Sequence, residues 1–277
     1  MSKYKTAELL KELDKRIDKV QSSDEFKEVL EFFSKFHNYS YHNSILIMMQ
    51  KPEATLVAGY KQWQKKFNRH VKKGEKGIAI LAPFSYKKKI SKSNNDSNLK
   101  NDDEREVIKT YFRPVYVFDV SQTSGKALPQ LDLNLENSNS ALFEPLKRYA
   151  ISKGIKVQLK SLRKGLDGYS RGGEIVVNTN TNLTEKASIL AHEIAHELLH
   201  FRENKDLKLT KEIIEMEAES VAFVVMNYFG IEIKSDEYLA LYKKSYNLME
   251  SLKRISDISS SMIDYVLESK SEIQKIS

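Results

Sequence analysis

The sequence predicts an α+β protein of two domains, the first made of helices with a small antiparallel sheet and the second of short strands followed by helices. Three observations lead there. Apolar residues recur at helical spacing along several segments of both halves. Short β-branched and aromatic runs bounded by Gly, Asn and Lys turns interrupt them. A polar Asn/Ser-rich stretch near 132–140 divides a 277-residue chain that is 40% hydrophobic, enough for two modest cores.

The first domain is placed at 1–131. Leu9, Leu10, Leu13, Ile17 and Val20 mark a helix within 4–20. Ser23 and an acidic turn then open a helix carrying Phe26, Val29, Leu30, Phe33 and Phe36. A third helix runs from about Asn43 to Gln50 and stops before Pro52. A helix around Tyr60–Phe67 and a Lys-Gly turn at 73–77 precede a strand at Ile78–Leu81, and a second strand fits Val107–Val120. Between these strands a polar insertion at about 91–106 has almost nothing to bury, so a mobile excursion is expected there. The second domain is placed at 140–277. It offers a helix at 141–152, a strand at 156–159 and a hairpin across 169–177 that turns at Arg171-Gly172-Gly173-Glu174. Helices at 184–201 and 210–228 follow, then two more across 236–269.

Composition removes several chemistries. The absence of cysteine excludes disulfides, thiolate metal sites and a cysteine nucleophile. No apolar run reaches the length of a membrane span and the charged start lacks a signal-peptide block, so a cytoplasmic protein without a membrane partner is expected. The net charge of +7 is unevenly spread: residues 60–92 hold eleven Lys/Arg against Glu75 alone. Tyr60 and Trp63 lie among Lys61, Lys65, Lys66 and Arg69; Lys72, Lys73 and Lys76 surround the turn; Phe84 and Tyr86 lead into Lys87, Lys88 and Lys89. Rings beside phosphate-neutralising cations suit single-stranded nucleic acid. The plainer alternative is a core of aromatics under a soluble lysine surface, with Trp63 and Phe67, four apart, sealing one face. No helix-turn-helix, cysteine finger or GxGxxG element occurs, so backbone contact and stacking are expected rather than base readout.

The sharpest signal is His192-Glu193-Ile194-Ala195-His196. Two histidines four apart share one helical face, and Glu193 beside them is placed to act as a base on water. Half of the six histidines fall between 192 and 200, on an otherwise apolar helix, which argues against accident. One Zn²⁺ ion is the expected cofactor. A catalytic zinc takes three protein ligands, and Arg202 stands where the longer metzincin pattern needs a histidine. The third ligand is sought on the next helix, as in gluzincins. Glu215 is favoured, with Glu219 one turn on and Glu217 as alternatives, and His200 as an outlying or structural histidine. Tyr169, Arg171 and Tyr228 are candidates to stabilise an oxyanion.

Further stretches carry a resemblance: residues 40–47, 58–63, 71–78 and 112–120 in the first half, and 192–196 with 217–222 in the second. They resemble ArdC-like antirestriction proteins, whose second domain is zincin-like and related to ImmA/IrrE-type peptidases. The resemblance implies single-stranded DNA as a partner, a zinc peptidase fold behind it, and protection of a plasmid or other mobile element. The protein substrate or restriction target stays unnamed. Two other readings stay open: a non-catalytic DNA-binding factor with a structural zinc, or a peptidase that cleaves a repressor.

Overall fold

The apolar spacing of the first fifty residues becomes α1 (Thr6–Ile17), α2 (Ser23–Lys35) and α3 (Tyr41–Gln50) in the computed structural model. The structure describes residues 6–17, 23–90, 105–128, 142–203, 209–233 and 247–276. The linker near 132–140 and residues 91–104 of the polar insertion lie outside these. Leu9, Leu13, Phe26, Val29, Leu30 and Phe33 are buried, as their spacing requires.

Strands β1 (Val57–Gly59), β3 (Ile78–Ile90) and β4 (Arg105–Asp119) form one antiparallel sheet in the order β1-β4-β3. Between β1 and β3 come α4 (Tyr60–Lys65) and β2 (Arg69–Val71), which pairs with β5 (Thr123–Gly125). The β2–β5 pair has no apolar alternation and gives no sign of itself in the sequence. β3 runs well past the expected end at Leu81, up to Ile90 opposite Arg105. Burial stops near Leu81, so hydrophobicity alone cannot reveal the extension; backbone pairing and cross-strand contacts carry it.

The outer edge of β3 is closed by α3. The Asn43 side chain donates to the Leu81 carbonyl and accepts from the Leu81 amide, both at 2.9 Å. Two residues back, Gln50 does the same for Ala79, at 2.8 and 2.9 Å. Two amides seven residues apart on a helix thus stand in for a neighbouring strand and blunt a pairing edge.

The second half contains α5 (Phe143–Ser152), then β6 (Lys156–Lys160), β7 (Gly168–Ser170) and β8 (Glu174–Asn178). The sheet order is β6-β8-β7, with β6 parallel to β8 and β7 antiparallel to it. Ile175, Val176 and Val177 of central β8 are wholly buried. Next come α6 (Leu183–His196), a π-helical continuation over Glu197–Glu203, and α7 (Lys211–Tyr228). A long α8 (Leu248–Ile276) follows; of the two helices expected across 236–269 the second falls within it, while 234–246 lie outside the described residues. The halves share a continuous core. Asn227 on α7 donates to the Ser34 hydroxyl at 2.7 Å, and Ser260 on α8 donates to the His37 carbonyl at 2.9 Å. Among the described residues no helix is long and apolar enough to cross a membrane.

Asn43→Ala strands the outward amide and carbonyl of Leu81. The expected loss of unfolding free energy is about 1–3 kcal/mol, measured by urea denaturation, against little change for an exposed control such as Lys35→Ala.

Candidate metal centre

Helix α6 starts at a capping box: the Asn182 side chain accepts from the Glu185 amide at 2.9 Å, and the Glu185 carboxylate accepts from the Asn182 amide at 3.1 Å. Burial of Ala187, Leu190, Ala191, Ile194 and Ala195 then sets its rotation. The face left over carries His192 and His196. α7 packs alongside and brings Glu215 and Glu219, also four apart, to the same place.

His192 Nε2 and His196 Nε2 lie 2.9 Å apart. Glu215 Oε2 is 3.6 Å from the first and 3.5 Å from the second. Two imidazole nitrogens and a carboxylate oxygen thus lie within 4.8 Å of one another, a donor set able to hold a divalent metal. Glu219 Oε2 is 3.1 Å from His192 Nδ1, the ring nitrogen facing away from the cluster, where it orients the imidazole. Burial would lower the His192 pKa, but hydrogen bonds with Glu215 and Glu219 outweigh it and raise it to about 9. Hydrogen bonds from His192 and His196 hold the Glu215 carboxyl well below the usual range.

Glu193 is almost buried, and burial pushes its carboxyl pKa up against the opposing pull of His192, His196 and a hydrogen bond from Ser170. Ser170 comes from β7, and β7 is held along α6 by two devices. The fully buried Glu197 carboxylate accepts from the Gly172 and Gly173 amides at 2.7 and 2.5 Å. Both glycines sit at positive φ, 74° and 102°, which turns their amides inward together. At the other end Gly168 leaves no room for a side chain, since a Cβ there would stand 2.5 Å from Ile189 Cγ2.

Glu217 faces the opposite way and is removed from the ligand candidates. It is fully buried, takes the Ser251 hydroxyl, and pairs with Arg254 of α8, whose Nε lies 3.1 and 3.2 Å from its two oxygens. His200 follows it, with Nε2 at 3.7 Å from Glu217, and belongs to this packing rather than to the donor cluster. Burial, helped by the charges of His196 and Arg254, lowers the His200 pKa to about 4 and keeps the ring neutral. Arg171 is paired with Glu174, and the Tyr228 ring packs edge-on against His37 at 4.5 Å. Tyr169 lies on β7 beside Ser170. Sequence reasoning missed Ser170, Glu197, Ser251 and Arg254. Only Glu197 left a trace, as the carboxylate directly after His196 with a Gly-Gly turn upstream.

The basic region is also revised. Trp63 is fully buried and its indole donates to the Phe118 carbonyl at 2.9 Å, so it is a core residue and not a stacking surface. The Arg69 guanidinium is spent on Thr123, Gly125 and Lys126, pinning β5 to β2. Tyr60 is about half exposed (49%), and Lys61, Lys65, Lys66, Lys72, Lys73, Lys76 and Lys87 are exposed, although Lys72 also donates to the Ser121 carbonyl. Lys88 and Lys89 continue β3.

A histidine pair and a glutamate across two packed helices, behind an α+β module, define a metallopeptidase-like protein with an added N-terminal domain. Residues 2–118 match the family described as the N-terminal domain of anti-restriction factor ArdC, and residues 151–262 match a peptidase family described as the IrrE N-terminal-like domain. The front half thus carries an ArdC N-terminal-type domain and the back half an IrrE-like peptidase-family domain, a pairing consistent with the ArdC-like antirestriction proteins. An uncharacterised protein of Bacillus anthracis is 28% identical across 98% of this chain, which spans about half (54%) of that relative's length. The metal-free crystal structure of antirestriction ArdC from plasmid R388 is similar at 17% identity and a TM-score of 0.43, covering 81% of either chain. The Mn(II)-bound structure of that protein is similar at 16% and 0.42, covering 82% of this chain and 83% of its own.

Two substitutions separate the glutamates. Glu215→Ala is expected to lower bound metal, read by elemental analysis of the folded protein, with little loss of stability. Glu217→Ala leaves Arg254 buried without its partner and is expected to cost about 3–5 kcal/mol in denaturation. Metal loss confined to the Glu217 variant would reverse the assignment.

Proposed function

We propose that this protein is a zinc-dependent peptidase whose front domain binds single-stranded DNA, in the service of antirestriction or the protection of a mobile element. The observation that carries the peptidase reading is the meeting of His192, His196 and Glu215 with Glu193 buried beside them. Zinc–ligand bonds of about 2.0–2.1 Å at tetrahedral angles put neighbouring donors roughly 3.3 Å apart. The three separations here, 2.9, 3.5 and 3.6 Å, bracket that spacing. When bound, zinc supplies a Lewis acid that polarises a carbonyl and makes water more acidic.

The chain's own groups supply the rest. Glu193, on the same helix as both histidines and with its pKa raised by burial, is suited to take a proton from water and return it to a leaving amine. Glu219 holds the His192 ring in place through Nδ1. β7 is an edge strand, so its free side can pair with an extended peptide laid beside α6. Three protein donors leave one tetrahedral position for reactant, which favours a catalytic over a structural ion. The single-strand reading is supported by the ArdC-type front domain and by the exposed lysines of α4 and the 72–76 turn.

Glu193→Gln is expected to keep metal content and DNA affinity and to lower peptide or protein cleavage by about 10²–10⁴-fold. Elemental analysis, a DNA titration and a cleavage screen on one preparation check this. A folded wild type that takes up no zinc on reconstitution would sink the peptidase reading. Cleavage untouched by Glu193→Gln would remove Glu193 from the chemistry.

A further inference from the structure

Beyond Leu81 the β3–β4 hairpin leaves the core. Ile78 to Leu81 and Val117 are buried, whereas Tyr86, Tyr111, Phe112, Val107 and Ile108 are all exposed, Ile108 to 66%. The fold has no need of large rings on such an arm, and an exposed apolar group of this size marks a contact surface. The register orders it. Phe84 stands opposite Tyr111, Tyr86 opposite Lys109, and Ala82 opposite Arg113, so these side chains share one face. The Arg113 guanidinium lies 3.3 Å from the centre of the Phe84 ring. The Phe84 and Tyr111 rings are 6.0 Å apart, as are those of Tyr86 and Tyr111. Arg113, Phe84, Tyr111 and Tyr86 thus zigzag between the strands, and Lys109 closes the row.

The charge on this arm is one-sided. Residues 83–90 and 105–113 contain six Lys/Arg and one acid, Glu106. Rings flanked by cations match a strand whose bases are unpaired and whose phosphates run alongside them. A duplex would hide its bases, and an acidic peptide would have no use for the rings.

We infer that the Phe84–Tyr86–Tyr111 face of the β3–β4 arm is the stacking platform for single-stranded DNA, with Lys109 and Arg113 meeting the phosphates. This rests on the single-strand reading above and moves the stacking role from the α4 segment, where Trp63 is buried, to the hairpin. Tyr86 and Tyr111, each about half exposed at 49% and 48%, are the rings available to bases, while Phe84 is backed by Arg113 and serves as their support. Recognition of this kind tolerates sequence, because every base presents a π-face.

The test uses the full chain and a fluorescent oligothymidylate, titrated by anisotropy at several salt concentrations. Tyr86→Ala with Tyr111→Ala is expected to weaken binding about a hundredfold, each lost stack being worth about one decade. The slope of log affinity against log salt should stay unchanged, because no cation is removed. Tyr86→Phe with Tyr111→Phe should bind like wild type, showing that rings rather than hydroxyls are read. Lys109→Ala with Arg113→Ala should reduce the salt slope by roughly 0.7 per cation. Circular dichroism and metal content check that each variant is folded. A wild type that binds DNA while the double Ala variant binds equally well overturns the platform and leaves the single-strand reading standing. A wild type that binds no DNA overturns that reading itself. Tyrosine-dependent binding to anionic phosphatidylserine vesicles in place of DNA overturns the platform in favour of a membrane contact.

Discussion

The rotation of α7 about its own axis is the constraint on which the candidate metal centre depends, and the buried Glu217–Arg254 pair sets it. Glu217 has no exposure and meets Arg254 and Ser251 from α8. A carboxylate so deep is tolerable only when paired, so other rotations of α7 would leave a bare charge in the core. With Glu217 turned to α8, Glu215 and Glu219 fall two residues to either side and share the opposite face, toward α6. The ion pair adds little net stability by comparison with apolar packing; its effect is to exclude alternative arrangements, which gives the two helices one relative phase.

Five of the glutamates on α6, its continuation and α7 are sorted by direction rather than by identity. Glu193 looks toward β7 and its Ser170. Glu197, one helical turn later, reaches the Gly172-Gly173 turn and holds β7 down. Glu215 meets both histidines, Glu219 meets the back of one, and Glu217 anchors the assembly from behind. The same carboxylate faces a histidine pair, a serine of β7, a glycine turn or a buried arginine according to its position, and under the proposed function the first two would be metal donor and proton carrier. Burial raises the Glu193 carboxyl pKa, whereas histidine contacts depress that of Glu215, so acids on neighbouring helices are shifted in opposite directions by their surroundings.

The front half uses polar side chains in another way. Asn43 and Gln50 replace a missing strand neighbour along β3, while Arg69 and Trp63 tie short elements to carbonyls. These commitments take away residues that composition marks as nucleic-acid contacts. Other basic and aromatic groups lie on α4, on the lysine turn and on the projecting arm, where backbone pairing and cross-strand contacts keep the strands together while large rings remain exposed.

The sequence by itself determined the two-domain α+β class, most helices and the His192-Glu193-His196 triad, because each rests on spacing within one element. Helical period alone places two imidazoles on one face. It also narrowed the third donor to three glutamates, with Glu215 favoured. Only the tertiary structure sorts their surroundings, since Glu217 meets Arg254, a residue 37 positions away that no local pattern connects to it. The same holds for Trp63, whose burial depends on β4, and for the β2–β5 pair, which joins segments about fifty residues apart. Periodicity reports which face of an element is apolar; it carries no information on which distant element that face will meet, and there the functions of charged and aromatic residues are settled.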